Sequence, residues 1–413
     1  MKKLEILPYL SRPDKWYLGG GNRLLWAPPF PAYLDSPGFW DEAQYYNYEL
    51  KPLFTWTLLD EEGSEIVLDF QRRSWKPSVL AQEYLGQLRT SKSALRIMES
   101  KVVLPSDVAA SVVRILNPSG KTRRLQFVAW TVQEHFPSKQ SSWLDEIAYR
   151  SGILSFKKLL RPSVDPHVEL ACAFALNKKV VSRSINLSER TALQPRWQLC
   201  PWYETFAQRK LPNAVKLSGV SNEGLIYLGL HTQLVVKSHS EASVAVAFGV
   251  APSTPETMRN LRPVVKLADP ATLSTLAWED HFRSVPSFES SDDFLTRYYW
   301  YRWYGLHLNT MYGNEGNYGA PSSAKGSDTS GRQSPTAPSA ICLKIGGCTS
   351  QSSHEGASSC SSTTSGRTAA SAGISMSIIT VRRCSITPTG ETPFFSSIAF
   401  IRPSAIWNLC TKG

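Results

Sequence analysis

Acidic residues, tyrosine and tryptophan all but vanish from the last quarter of this chain. Beyond residue 320 there is no tyrosine and one tryptophan, Trp407. Only three acids remain there: Asp328, Glu355 and Glu391. A packed domain needs aromatic and aliphatic filling, so this composition excludes an ordinary core. Yet the segment holds 21 serines and five of the seven cysteines, Cys342, Cys348, Cys360, Cys384 and Cys410. It also holds apolar runs such as Ile374 to Ile379. A serine-rich linker lacks such residues.

Other absences bound the first 320 residues. Their only cysteines are Cys172 and Cys200, too few for a disulfide framework. No run approaches the ~20 apolar residues of a membrane span. The start, Met-Lys-Lys-Leu-Glu-Ile, has no apolar core of a leader peptide, so a cytoplasmic location is expected. His135, His167, His231, His239, His281 and His307 are scattered without metal-ligand spacing. Gly19-Gly20-Gly21-Asn22 precedes no strand–helix unit and makes a poor phosphate loop. No metal or cofactor is expected. The net charge of +11 divides into +6 for residues 1–320 and +5 for the tail. With no dense basic patch, nucleic acid is not an expected partner.

What is present reads as strand after strand. Residues 1–50, rich in Pro, Gly and aromatics, read as loops and extended edges. Alternating or β-branched runs follow at Tyr48–Leu58, Glu65–Phe70, Leu95–Leu104, Ala109–Leu116 and Arg123–Thr131. More come at His167–Ala175, Gly224–Leu230, Gln233–Lys237 and Ala242–Val250. This spacing predicts a large antiparallel β-sandwich. Pro118-Ser119-Gly120-Lys121 predicts a hairpin between Ala109–Leu116 and Arg123–Thr131. The period changes near Pro255, where Thr254-Pro255-Glu256 marks a helix start. A second helix is expected over Ala271–Arg283. A third runs from a Ser291 cap through Leu308, with Tyr299 and Trp303 on its packed side.

The order of these parts, with the residues at their junction, resembles the six-hairpin glycosidases. In those enzymes a super-β-sandwich leads by linker helices into an (α/α)6 barrel. Three stretches carry the likeness. Trp278-Glu279-Asp280-His281-Phe282, then Val285-Pro286 and Phe288, is similar to their linker. Asp293 through Tyr304 is similar to a first barrel helix. Met311-Tyr312-Gly313-Asn314-Glu315-Gly316-Asn317-Tyr318 sits where such barrels place a sugar-contacting loop. The likeness spans about residues 40–320. It implies a mainly β fold in four parts: a sandwich over 1–250, a helical linker over 251–290, the start of a barrel over 291–320, and a tail over 321–413. It implies a carbohydrate substrate or ligand, with Tyr312, Asn314, Glu315, Asn317 and Tyr318 as substrate-binding residues. Aromatic faces stack on sugar rings, and asparagine amides bond hydroxyls in both senses. The same loop also reads as a glycine-rich turn closing a helix. Glu315 is its single acid, whereas glycoside hydrolysis generally needs two carboxyl groups.

The tail has a simple explanation in a shifted reading frame. Joining the last base of each codon to the first two of the next leaves a small set of residues possible at each position. With free choice at degenerate bases, Ser322 to Pro338 can read VCEGIGYFRAAISYSA. The missing acids and aromatics return. The expectation is therefore a catalytically incomplete glycosidase fragment ending in a tail without a compact fold. A sandwich that works alone, as a carbohydrate-binding or interaction module, is the alternative.

Overall fold

The computed structural model describes residues 5–311 except 21–22, 47, 89–93, 140, 161–167, 189–210, 212–222 and 268, with the backbone of 322–325 and 334–335. All belong to one compact unit, Met1–Pro335. The expected tail falls almost wholly outside the described residues.

The chain opens with one helical turn, α1 (Ile6–Tyr9), and a small antiparallel sheet of β1 (Leu24–Leu25), β2 (Ala43–Tyr45) and β3 (Tyr48–Leu50). Twelve longer strands follow: β4 (Thr55–Leu59), β5 (Val67–Lys76), β6 (Val79–Gln87), β7 (Leu95–Leu104), β8 (Val108–Asn117), β9 (Arg123–His135), β10 (Ser142–Arg150), β11 (Ile153–Leu160), β12 (Val168–Leu176), β13 (Ser182–Ser188), β14 (Gly224–Val236) and β15 (Ser240–Ala251). Eight form an antiparallel sheet in the order β10-β11-β12-β15-β8-β7-β6-β5, and four form a second in the order β13-β14-β9-β4. Their inner faces share one core. Trp56 of β4 stacks on Phe127 of β9 and meets Tyr84 of β6 edge-on across the gap, at ring centroids 5.5 and 6.3 Å apart. The fold is thus the expected antiparallel sandwich.

Several local expectations are corrected. β8 and β9 do not form a hairpin. β8 pairs with β7 and β15, whereas β9 pairs with β4 and β14, so Pro118–Lys121 carries the chain from one sheet to the other. Both strands are buried along most of their length, which suits strands in the middle of a sheet. Gly224–Leu230 and Gln233–Lys237 are one strand, β14, since His231 and Thr232 continue the ladder with β9. β6, β10, β11 and β13 were not legible as strands.

Three helices follow the sandwich: α2 (Thr254–Lys266), α3 (Ala271–Ser284) and α4 (Asp293–Leu308). α2 packs on the outer face of the large sheet, where Ala110, Ala173, Ala175 and Ala247 leave room for Leu261 and Val264. The α4 cap is Asp292, which accepts from the Phe294 backbone N–H, one residue past the expected Ser291. Its buried stripe is Thr296, Trp300, Tyr304 and Leu308, at intervals of four. Tyr299 and Trp303 flank that stripe, half-buried. The described helices close no barrel. Beyond α4, β16 (Thr310–Met311), β17 (Ser322–Lys325) and β18 (Ser334–Pro335) pair in that order.

A buried carboxylate organises the core. Glu99 and Lys101 stand two apart on β7 and share its inward face with Leu95 and Ile97. Both are fully buried. Glu99 Oε1 accepts from the Gly38 backbone N–H (2.9 Å), Trp56 Nε1–H (2.8 Å) and the Ser111 hydroxyl. Lys101 Nζ lies 3.8 Å from Glu99 Oε2 and donates to the Ser36 carbonyl at 2.8 Å. Gln82 and Thr55 donate to the Leu34 and Pro37 carbonyls. Segment 34–38 is thereby bound from both sheets. Removing one partner of a buried ion pair leaves the other uncompensated, typically at a loss of about 3–5 kcal/mol. Glu99→Ala is expected to destabilise the protein by that amount in urea unfolding. A change under about 1 kcal/mol, the size for an exposed pair, would contradict this role.

Candidate functional site

The expected sugar-contacting residues Tyr312, Asn314, Glu315, Asn317 and Tyr318 lie outside the described residues. The structure does describe what leads into them: the C-terminal end of α4, then Met311, which is buried.

That end is fixed by an aromatic cluster. Trp278 of α3 lies against Tyr304 and His307 of α4, at ring centroids 5.2 and 4.9 Å. Trp75 of β5 meets Tyr304 at 5.2 Å, and Phe282 meets Trp300 at 5.9 Å. The N-terminal segment completes the cluster. Gly20 has φ +121°, and a Cβ there would come within 2.7 Å of Trp278 Cζ2 and 3.1 Å of His307 Cδ2. So part of the glycine run has a packing role: it admits backbone where no side chain fits. The linker stretch Trp278 to Phe282 and the helix from Asp293 to Tyr304 are in contact, as an ordered junction requires.

His281 and His307 stack within this cluster, with centroids 3.8 Å apart and planes 8° from parallel. Burial lowers the His281 pKa to about 4. Burial, then the neighbouring His281, lowers that of His307 to about 3. Both rings are neutral at pH 7. They stand on separate helices, so no local spacing could have paired them. Arg297 sits over the Tyr9 ring at 4.9 Å, and Arg302 is exposed. Burial, then hydrogen bonding to Asp293, raises the Tyr9 pKa.

Two other buried charged groups serve packing. Asp107 accepts from the backbone N–H groups of Arg23 and Leu24 and from Arg23 Nε at 2.7 Å, and Arg23 reaches on to Glu256 of α2. Lys158 donates to Gln133 Oε1 at 2.7 Å. Burial lowers its pKa. Among the described residues no group of His, Cys, Asp and Glu could hold a metal ion, and no helix is long and apolar enough to cross a membrane.

No protein-family model matches the chain, and no curated protein matches it in sequence. Among solved structures it is similar to a protein assigned as a kojibiose phosphorylase, from the human microbiome: TM-score 0.44, 10% identity, covering 71% of this chain and 36% of that one. It is also similar to a family GH92 α-mannosidase from Bacteroides thetaiotaomicron, with TM-score 0.40 and 11% identity over 78% of this chain and 45% of that one. A bacterial glucoamylase complexed with acarbose gives TM-score 0.36 and 8% identity, over 72% and 41%. The chain spans less than half the length of each.

The histidine pair sets a pH dependence. Each folded pKa lies below the unfolded value of about 6.5, so the unfolded chain takes up protons first as pH falls. The stability they contribute is complete above about pH 6.5 and declines toward pH 4 and 3. The urea midpoint should therefore fall between pH 7 and 4.5. His307→Phe should reduce that fall; an unchanged pH slope in the variant would exclude the pair as its source.

Proposed function

We propose that this chain derives from a six-hairpin glycoside hydrolase and keeps its sandwich, linker and first barrel helix without a complete catalytic barrel. The observation that carries the reading is the seating of Trp278. The linker tryptophan contacts Tyr304 and His307 of α4 and lies against the Gly20 backbone, joining sandwich, linker and helix in the order such enzymes use. On this reading the parts are 1–250, 251–290, 291–320 and 321–413. Tyr312, Asn314, Glu315, Asn317 and Tyr318 then form one sugar subsite of the ancestral barrel mouth. Hydrolysis needs an acid and a second carboxylate on either side of the scissile bond. One loop with one acid does not supply both.

The tail is the product of a shifted frame, on the strength of its scarce acids, its lack of tyrosine and their return in the alternative reading. Cys172, a free buried thiol whose pKa burial pushes up to about 12, fits a reducing compartment. The gene around codon 321 and a paired assay test the proposal. The chain itself should hydrolyse no member of a glycoside panel, and the frame-restored chain should hydrolyse at least one. Comparable hydrolysis by both would sink the claim of incompleteness. A gene with no open continuation in either shifted frame would remove the frameshift.

A further inference from the structure

α4 buries one stripe of side chains and carries a second apolar group on the opposite side. Phe294, Leu295 and Tyr298 are 68, 42 and 43% exposed. The rings of Phe294 and Tyr298 stack on each other, with centroids 6.3 Å apart and planes 18° from parallel. The buried stripe is Thr296, Trp300, Tyr304 and Leu308, so these three side chains point away from it. A single exposed apolar residue is ordinary. Three on neighbouring positions of one helix face, two of them stacked, make a patch.

The next two turns of the same face differ in kind. Arg302 stands one turn beyond Tyr298, and Gly305 and Leu306 stand one turn beyond Arg302. Arg302 is exposed, and no acid lies three or four residues from it on α4, where the positions are Tyr298, Tyr299, Gly305 and Leu306. Arg297, by contrast, has Asp293 of its own helix at 3.8 Å and the Tyr9 ring at 4.9 Å. A Cβ added at Gly305 would meet nothing within 4 Å. Glycine weakens a helix, and among the described residues no neighbour requires it there. It leaves a gap in the helix surface beside half-buried Leu306. The face thus has an aromatic, apolar half and a half made of a guanidinium and a gap.

The two halves match each other when one helix is reversed. A second copy laid antiparallel, with the two-fold axis midway between Tyr298 and Arg302, sets Tyr298 of each copy against Arg302 of the other. Phe294 and Leu295 then meet Leu306 and the gap at Gly305. A guanidinium is attracted to the face of an aromatic ring, so the cation of each copy finds the group it lacks on its own helix. Such a pairing is isologous, and every contact in it occurs twice. Parallel pairing would instead set arginine against arginine. The opposed helix dipoles favour the same choice. We propose that α4 is the interface of a homodimer, in which two copies pair antiparallel through Phe294, Leu295, Tyr298, Arg302 and Gly305. The surface is separate from residues 312–318 and needs no hydrolytic reaction.

The test is analytical ultracentrifugation of the full chain, with a reductant present to keep its cysteines as thiols. The average mass should rise from monomer toward dimer as the concentration is raised to about 100 µM. Two variants locate the contact. Gly305→Gln fills the gap with a better helix former whose side chain has open space in the monomer. Arg302→Glu turns a carboxylate toward the ring that the guanidinium faced. Each should raise the dimer dissociation constant about tenfold or more. Neither removes a contact within the monomer, so the thermal unfolding of dilute samples should not fall. A chain that stays monomeric at about 100 µM would overturn the proposal, whether the face remains bare or residues 321–413 of the same chain cover it. Association left undiminished by either variant would overturn it too, since the contact would then lie elsewhere. The glycoside assay has no bearing on this outcome, so the two readings fail separately.

Discussion

The Glu99 carboxylate ties together the two sheets of the sandwich and the loop at Gly38. Its donors come from a loop backbone at Gly38, from Trp56 on the small sheet and from Ser111 on the large one. A buried charge must be satisfied from every side, so these elements have one mutual arrangement in which it is. A buried pair such as Glu99–Lys101 need not be more stable than an apolar one of the same size. What it does fix is register. A slip of β7 by one residue would turn Glu99 and Lys101 out and bring Arg96 and Met98, now exposed, into the core.

A second junction, apolar and aromatic, holds the helices to this frame. Trp278 lies against Tyr304 and His307, with the Gly20 backbone against its ring. Neutral stacked imidazoles suit this place because a charged ring would be desolvated there. The junction performs no chemistry on its own. It fixes the end of α4 that leads into buried Met311.

Much of the fold was legible because strands such as β7 and β15 alternate or carry β-branched residues. β6 was missed because Ala81, Gln82 and Gly86 dilute its alternation, although Leu80, Gln82, Tyr84 and Gly86 do face one way. The β8–β9 connection misled for a different reason. A proline–glycine turn between two apolar strands looks the same whether the chain doubles back within a sheet or crosses to the facing one. Only the long-range partners, β15 and β14, distinguish the two cases. The helix from Asp293 was clear, but its aromatics cover every face, so the choice of Trp300 and Tyr304 as the inner pair rests on Trp75, Phe282 and Trp278.

The position of β15 bears on how this chain is made. The last strand of the sandwich to be synthesised lies in the middle of the large sheet, between β12 and β8. Until the ribosome delivers Ala251, both of those strands present open edges, and edges of that kind recruit other chains. From the end of β12 at Leu176 to the end of β15 at Ala251 the nascent sheet stands as two halves. Any interruption of translation before that residue would strand the halves apart. One that falls after it meets a sheet whose keystone is already in place.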